Sequence, residues 1–419
     1  MTLSSPGAPS RSETAMAAVA ALIAIYGISQ FLRNSVGVIA SDLSRELQLS
    51  ASEIGLLSSA FFFSFAAAQI PVGIAIDRYG PKRTMMATAV LAVLGTVLFA
   101  LAPSAPLLVL ARVIIGIGCS TFLMAPLAIY ARRFPPERFA ALTSLQMGLA
   151  NIGTLAATAP LAAAAAAVGW RPTFFGAAGL AALVAVIVYA AVPRDEAAGV
   201  GRESWAETFR GVAKATRVRS FWPVLFAHFT AYSSFATVVG LWGGPWLSDT
   251  YGVDLPTRGN LLLIGAVAQM AGLLLWGATD RYWGSYKRAV LAGGFATVGL
   301  LALVALVPVG LAAAGLWLGA FGLLVAFTPI LTAHGKALFP PELTGRGITL
   351  MNIGAIGGTF LSQTATGLLI DGVGRSATGG YPLVGYQLVF GALAGWLALS
   401  LVFYARSIDP HPSRHAPDA

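Results

Sequence analysis

The sequence predicts an all-α membrane protein, twelve transmembrane helices set in two pseudo-symmetric six-helix bundles, and three observations predict it. Hydrophobic residues are 57% of the 419 and charged residues only 10%, a balance that no water-soluble domain of this size tolerates. The chain divides into twelve apolar runs, each near the ~20 residues that cross a hydrocarbon core. Motifs of the first half return about 205 residues later in the second.

In chain order the runs are 16–39, 52–76, 84–103, 106–130, 140–162, 172–192, 221–247, 259–279, 288–308, 311–334, 346–370 and 384–405, each bounded by charges or by Pro/Gly clusters. The first is too long for the apolar core of a signal peptide and no small-residue cleavage site with a soluble domain follows it, so it reads as a retained span in a chain that starts near Met1. The longest polar interruption, 193–220, separates six runs from six; the expected units are 1–192, a cytoplasmic linker 193–220, and 221–419.

The net charge of +9 reports orientation before it reports any acidic partner, and no nucleic-acid partner is expected. With the N-terminus inside, 20 of the 26 Lys and Arg residues fall on the cytoplasmic side, four (Arg45, Arg171, Arg258 and Arg375) on the other, and two, Arg33 and Arg112, within runs. Both termini are therefore expected in the cytoplasm and the chain in the cytoplasmic (inner) membrane, multi-pass. A single cysteine, Cys119, precludes an intramolecular disulfide.

Two pairs of segments carry the internal repeat. Phe134-Pro135-Pro136-Glu137 after the fourth run returns as Phe339-Pro340-Pro341-Glu342 after the tenth, and Asp77-Arg78-Tyr79 after the second returns as Asp280-Arg281-Tyr282 after the eighth. Paired six-helix halves are the plan of a transporter that rocks about a site near the bilayer midplane; a duplicated structural membrane protein is the plainer alternative.

The second run ends Gly73-Ile74-Ala75-Ile76-Asp77-Arg78-Tyr79-Gly80-Pro81-Lys82-Arg83, an acid at a helix end followed by a tight turn and bases. Gly73 permits close helix approach, Gly80 permits the turn, and Asp77 can accept charge-assisted hydrogen bonds. The bases also suffice simply to fix topology. This segment resembles the signature of the major facilitator superfamily between helices 2 and 3, and Gly277 to Arg288, which contains Asp280, Arg281, Gly284 and Lys287, resembles its degenerate copy between helices 8 and 9. The resemblance implies the major facilitator fold, a secondary transporter that works as a monomer in the lipid bilayer, and a latch of Gly73, Asp77, Arg78, Gly80, Arg83, Asp280, Arg281 and Gly284 that stabilises the outward-facing state.

Two arginines lie inside the apolar runs, where each costs about 2.5–3.5 kcal/mol on insertion scales unless it faces a wet cavity or a partner. Arg112 stands in Leu108-x-x-x-Arg112-x-x-Ile115-Gly116-x-Gly118, which resembles the helix 4 motif of many proton-linked members of the superfamily; holding backbone carbonyls of the first helix is its structural alternative. Arg33 shares a helix face with Tyr26, Gln30 and Gly37. Phe31-Leu32-Arg33-Asn34 resembles the helix 1 segment of organophosphate and related organic-anion transporters, which implies that Arg33 contacts the substrate anion; snorkelling to the interface is the alternative.

All 17 acids fall in loops or at helix ends, so the predicted cavity holds bases without carboxylates. A guanidinium offers bidentate geometry to carboxylate or phosphate, and a small-molecule anionic substrate is expected. A coupling ion, proton or sodium, is expected with it, yet of the usual relay residues only His228 and His334 lie in runs. The expected binding set is Arg33, Tyr26, Gln30, Asn34, Arg112, Phe62, Gln69, Gln146, His228, Tyr232 and Trp242, with Phe65 on the face of Phe62 and Gln69, Trp246 in an interfacial belt, and Gly243-Gly244-Pro245 as a hinge at an outer gate.

Several classes are set aside. The fifth run lacks the Gly-Pro-x-x-Gly-Gly signature of drug/proton antiporters, and the seventh lacks the second arginine of phosphate-ester exchangers. Ala150-Asn151-Ile152-Gly153 and Met351-Asn352-Ile353-Gly354 resemble the Gly/Asn-rich helices of nitrate transporters, whose substrate arginines in helices 2 and 8 have no counterpart here. No Walker loop, His-Glu-x-x-His or serine elbow is present, so an enzyme is not expected, nor a cofactor or metal. The expectation is a secondary active transporter of a small organic anion, a carboxylate first, working by alternating access. An exporter of larger amphipathic compounds such as siderophores or drugs is the alternative, ahead of a channel or a binding protein.

Overall fold

The computed structural model describes residues 11–193, 210–211, 213–376 and 379–410. Twelve helices in it are long and apolar enough to cross a membrane: α1 Met16–Asn34, α2 Ala51–Tyr79, α3 Pro81–Leu101, α4 Ala105–Arg133, α5 Glu137–Val168, α6 Trp170–Ala191, α7 Phe221–Tyr251, α8 Leu255–Gly277, α9 Tyr286–Leu306, α10 Leu311–Leu338, α11 Thr344–Val373 and α12 Leu383–Tyr404. They are the twelve runs read from the sequence, with ends moved by a few residues. One difference is larger. After a break at Ser35, the first span continues as a further helix, Val36–Leu47, which the polar residues Ser41 to Glu46 hide from a hydropathy reading.

Where spans bend, the backbone says why. Pro160 follows the irregular turns near Asn151 and Thr158 in α5, Ser120 divides α4, and a π turn, Val238–Trp242, interrupts α7 just before Gly243. The expected hinge at Gly243-Gly244-Pro245 is thus a π turn at the five residues ahead of it, with helix resuming at Gly243.

The helices pack as two six-helix bundles, α1–α6 and α7–α12. Lys82 and Lys287, equivalent in the repeat, do equivalent work: Lys82 Nζ donates to the Tyr189 carbonyl (2.8 Å) at the end of α6, and Lys287 Nζ to the Ser407 carbonyl (3.1 Å) just past α12. Each base satisfies carbonyls that a helix terminus leaves free, and its charge suits the negative end of the helix dipole. Gly80 (φ 92°) and Gly284 (φ 56°) make the turns that precede them, in the left-handed region that favours glycine. Trp246 is 1% exposed, against Trp317, Phe390 and Tyr251, and is a core residue of the second bundle rather than a belt residue.

The bundles meet most tightly at the face away from the chain ends, here the distal face; the other is the terminal face. At the distal face glycines bring backbones together. A Cβ on Gly37 would come within 2.6 Å of the Gly240 carbonyl carbon, and one on Gly55 within 2.6 Å of the Gln363 carbonyl oxygen. Toward the terminal face a Cβ on Gly73 of α2 or Gly345 of α11 would meet nothing within 4 Å. Among these glycines, close backbone approach between the bundles is confined to the distal face.

Candidate functional site

The site is built where α1 ends. The break at Ser35 leaves the last carbonyls of α1 without helical partners. Arg112 of α4 supplies them: its Nη1 donates to the Leu32 carbonyl (2.6 Å) and its Nη2 faces the Arg33 carbonyl (3.5 Å). Arg112 is 1% exposed and its guanidinium lies 4.8 Å from the Phe61 ring centroid. Two of its donors face backbone carbonyls, in line with the structural alternative read from the sequence, while its Nε has no partner.

Arg33 lies at this end of α1. It is 7% exposed, and its guanidinium sits 4.8 Å from the Phe65 ring centroid and 5.8 Å from that of Phe61. Its Nη1 donates to the Tyr232 hydroxyl of α7 (3.0 Å), a bond that joins the two bundles, and Nε has no partner. Tyr26 is buried nearby, within electrostatic reach of both Arg33 and Tyr232. Among the described residues no carboxylate forms an ion pair with either arginine.

The other expected site residues scatter. Gln30 and Asn34 turn toward α5, where Gln30 Nε2 faces Asn151 Oδ1 (3.5 Å) and Asn34 Nδ2 donates to Thr154 Oγ1 (3.3 Å). Gln146 is a brace: it donates to the Leu22 carbonyl (2.9 Å) and accepts from the Tyr130 hydroxyl (2.7 Å). Gln69 reaches toward the Ser120 carbonyl at the break in α4 (3.5 Å), and Phe62 is buried edge-on to Phe61. Trp242 Nε1 donates to Thr366 Oγ1 (2.8 Å), tying the π turn to α11. His228 is buried with Nδ1 unpartnered, and His334 is engaged on both ring nitrogens, by the Tyr404 hydroxyl (2.7 Å) and the Ile408 carbonyl (2.8 Å). Arg33, Tyr26, Tyr232 and the Phe61/Phe65 pair are therefore what the fold gathers. A separate apolar cleft of about 740 Å³ lies between α1, α5 and α6, lined by residues such as Ile23, Phe31, Leu149 and Leu180, with no charged side chain.

At the terminal face Asp77 and Arg78 are exposed, and Arg78 lies over its neighbour Tyr79 (5.3 Å). Gly73 makes no close approach here: a Cβ on it would meet nothing within 4 Å. Arg83 is exposed, and the side chains of Asp280 and Arg281 lie outside the described residues.

The distal face carries contacts that sequence reasoning missed. Asp371, third from the end of α11, spans the interface: Oδ1 accepts from Ala51 N (2.8 Å) and Oδ2 from Ser52 N (2.9 Å), so a carboxylate of one bundle caps the N-terminus of α2 in the other. The Tyr381 hydroxyl accepts from Ala51 N (2.7 Å) and donates to Asp371 (2.9 Å); burial, first, and the carboxylate beside it hold its pKa above the usual phenol value. Arg375 donates to the Leu49 carbonyl (2.5 Å), and Arg258 of α8, 1% exposed, pairs with Asp42, 30% exposed. A signal for Asp371 was present: Asp371-Gly372-Val373-Gly374 repeats the acid-x-x-Gly helix ending of Asp77-Arg78-Tyr79-Gly80.

With a distally closed pair of six-helix bundles and a buried arginine between them in view, comparison with known proteins is informative. The family model described as Major Facilitator Superfamily matches residues 22–337. The chain belongs to this superfamily. Like other members it is a membrane transporter and not an enzyme. Similar curated members include a hexuronate transporter of Bacillus subtilis, 24% identical over 93% of this chain and 94% of its own, and a gentisate transporter of Corynebacterium glutamicum, 26% identical over 85% and 82%. A probable sulfoacetate transporter of Cupriavidus necator is 27% identical over 60% of each chain, so that match spans less than two thirds of the relative. Among solved structures, a bacterial homologue of the human lysosomal transporter Spinster, inward-facing and unoccupied, superposes with a TM-score of 0.77 at 18% identity over 95% of this chain and 97% of that one. At that identity the likeness is one of fold.

Proposed function

We propose that the protein moves a small organic anion, a carboxylate first, across the cytoplasmic membrane by alternating access. The observation that carries the reading is Arg33: a buried guanidinium between the bundles, hydrogen-bonded to the Tyr232 hydroxyl across the interface and flanked by aromatic faces, without a carboxylate partner among the described residues. Such a group is complete when an anion binds, and its planar donors suit a carboxylate. The three relatives described above carry the names of organic-acid transporters, which supports the class.

In this reading units 1–192 and 221–419 rock about the Arg33–Tyr232 level, joined by the linker 193–220. The asymmetry of basic residues favours a cytoplasmic terminal face, and on that reading the conformation described is inward-open. On that reading the latch of Asp77 and its neighbours is expected to be open, and Asp77 is exposed.

The test is a thermal-shift screen of the detergent-purified protein against carboxylates, phosphorylated metabolites, inorganic anions and cationic drugs, with Arg33→Ala in parallel. Stabilisation by one anion class, abolished in Arg33→Ala, is the expected result. The apolar cleft between α1, α5 and α6 favours a second reading, export of larger amphipathic compounds. Stabilisation by neutral or cationic amphipaths, unchanged in Arg33→Ala, selects it and overturns the first.

A further inference from the structure

The charge balance of the site bears on what drives transport. Arg33 and Arg112 place two guanidinium groups side by side in the membrane interior, both over the Phe61 ring. Arg112 has two of its donors on the Leu32 and Arg33 carbonyls and its Nε without a partner, and contact with a neutral carbonyl cancels no charge. Every acid within the twelve spans lies in the first or last three residues of its helix: Glu53, Asp77, Glu137, Asp249 and Asp371. The distal ones already have partners. Glu53 accepts from Ser50 N, Asp249 from Tyr381 N and the Tyr386 hydroxyl, and Asp371 from the N-terminus of α2, while Asp42, in the helix beyond Ser35, pairs with Arg258.

The remaining titratable groups cannot take the place of a carboxylate. Protonation makes His228 and His334 cationic, which adds to the positive charge. Tyr26, Tyr232 and Cys119, the last within electrostatic reach of both arginines, supply no carboxylate. No interior acid is therefore at hand to neutralise Arg33 when the site is empty, and none to bind a proton or sodium ion together with substrate.

We propose that the protein is an anion exchanger, returning across the membrane only with a second anion bound. This rests on the anion-transport reading. To change face the carrier passes through a state closed at both ends, in which the water that solvates Arg33 from the open side is lost. An unpaired charge is strongly disfavoured there, and a pair with a bound anion is tolerated. The loaded carrier crosses in either direction and the empty one does not, so one anion leaves for each that enters. No bond is made or broken, and the driving force is the gradient of the counter-anion.

The experiment uses the full chain in proteoliposomes, with radiolabelled gentisate, glucuronate and sulfoacetate outside as probes. Vesicles are loaded either with the same unlabelled anion or with zwitterionic buffer alone. The expected result is uptake of a probe at least about tenfold faster into anion-loaded vesicles, unaffected by ionophores that collapse proton and sodium gradients. Equal uptake into buffer-loaded vesicles, driven by a proton or sodium gradient, overturns exchange and leaves the anion-transport reading standing. Uptake of no probe under either loading, with no anion stabilising the protein in the thermal-shift screen, overturns the anion-transport reading and exchange with it. Cys119→Asp, which sets a carboxylate within reach of both arginines, is expected to raise uptake into buffer-loaded vesicles toward the exchange rate. A Cys119→Asp protein that still exchanges but gains no net uptake overturns the electrostatic origin of the exchange.

Discussion

The two ends of one antiparallel helix pair, α2 and α11, are in opposite states. At the distal end Gly55 and Gly367 bring the backbones together, a Cβ on Gly367 coming within 2.8 Å of the Ala51 carbonyl oxygen, and Asp371 caps the first turn of α2. At the terminal end Gly73 and Gly345 face open space and Asp77 is exposed. Yet the ends are built alike. Asp371 and Asp77 are each third from the end of their helix, each is followed by a glycine of positive φ (80° at Gly374, 92° at Gly80), and each helix has a small-residue N-terminal turn. The chemistry of closure is present twice and made once. In the rocking proposed above, the full contacts of both ends are not held together beyond the transient closed state, so a lasting contact at one end goes with a broken one at the other.

The strongest way to break the comparison is Asp42→Ala. It leaves Arg258 buried without its partner, and loss of one member of a buried pair costs about 3–5 kcal/mol, the lower end applying here because Asp42 is partly exposed. The expected outcome is a population shifted toward distal opening, read as a longer distance between spin labels placed at the distal ends of α2 and α11. An unchanged distance would show that the ion pair does not hold the face shut.

Gly55→Val is expected to oppose distal closure by about 1–3 kcal/mol, because the added side chain must displace the backbone of α11 near Gln363. Gly73→Val meets open space in this conformation and should leave it unperturbed while hindering closure of the terminal face. The same pair of labels should therefore report opposite shifts for the two variants. Equal shifts would mean that the glycines act on stability rather than on the rocking equilibrium.

Asp371→Asn removes a charge from the N-terminus of α2 but keeps an acceptor, and about 0.3–1 kcal/mol of distal closure is expected to be lost. Asp77→Asn is expected to leave the distal distance unchanged, since Asp77 has no described partner in this conformation, and to lower the population closed at the terminal face under substrate. Smallest in its effect on the rocking equilibrium is Lys82→Met, which frees the carbonyls at the end of α6 within one bundle. It should lower the melting temperature slightly, by about 1 kcal/mol of stability, without moving the distal distance.

Some of this was plain in the sequence and some was not, for reasons that differ by residue. Arg33 announced itself because charge inside an apolar run is costly wherever the side chain points. Arg112 carried the same signal, since one side chain can serve a carbonyl or an anion, and only the break at Ser35 shows that two of its donors meet carbonyls. Trp246 read as interfacial from its distance along α7, whereas the second bundle wraps it in Trp317 and Phe390. Gln146, Gln69 and Trp242 looked like site residues because polar atoms in spans need partners; the partners were backbone or a neighbouring hydroxyl. The distal contacts were missed because Asp42, Arg258 and Asp371 lie at helix ends, where charges are ordinary.

Readable from the chain alone are the properties that follow from transfer into a bilayer and from duplication: twelve spans, two similar halves, the sidedness of the basic residues, and two arginines inside apolar runs against acids confined to the ends. Each is a sum over local composition, and burial in lipid imposes it segment by segment. Tertiary structure alone decided which polar groups meet across the bundles. Whether Arg33 finds Tyr232, whether Asp371 caps α2 or faces water, and whether Gly37 or Gly73 touches a backbone depend on the relative tilt of two rigid bodies, which two similar halves can adopt in more than one way.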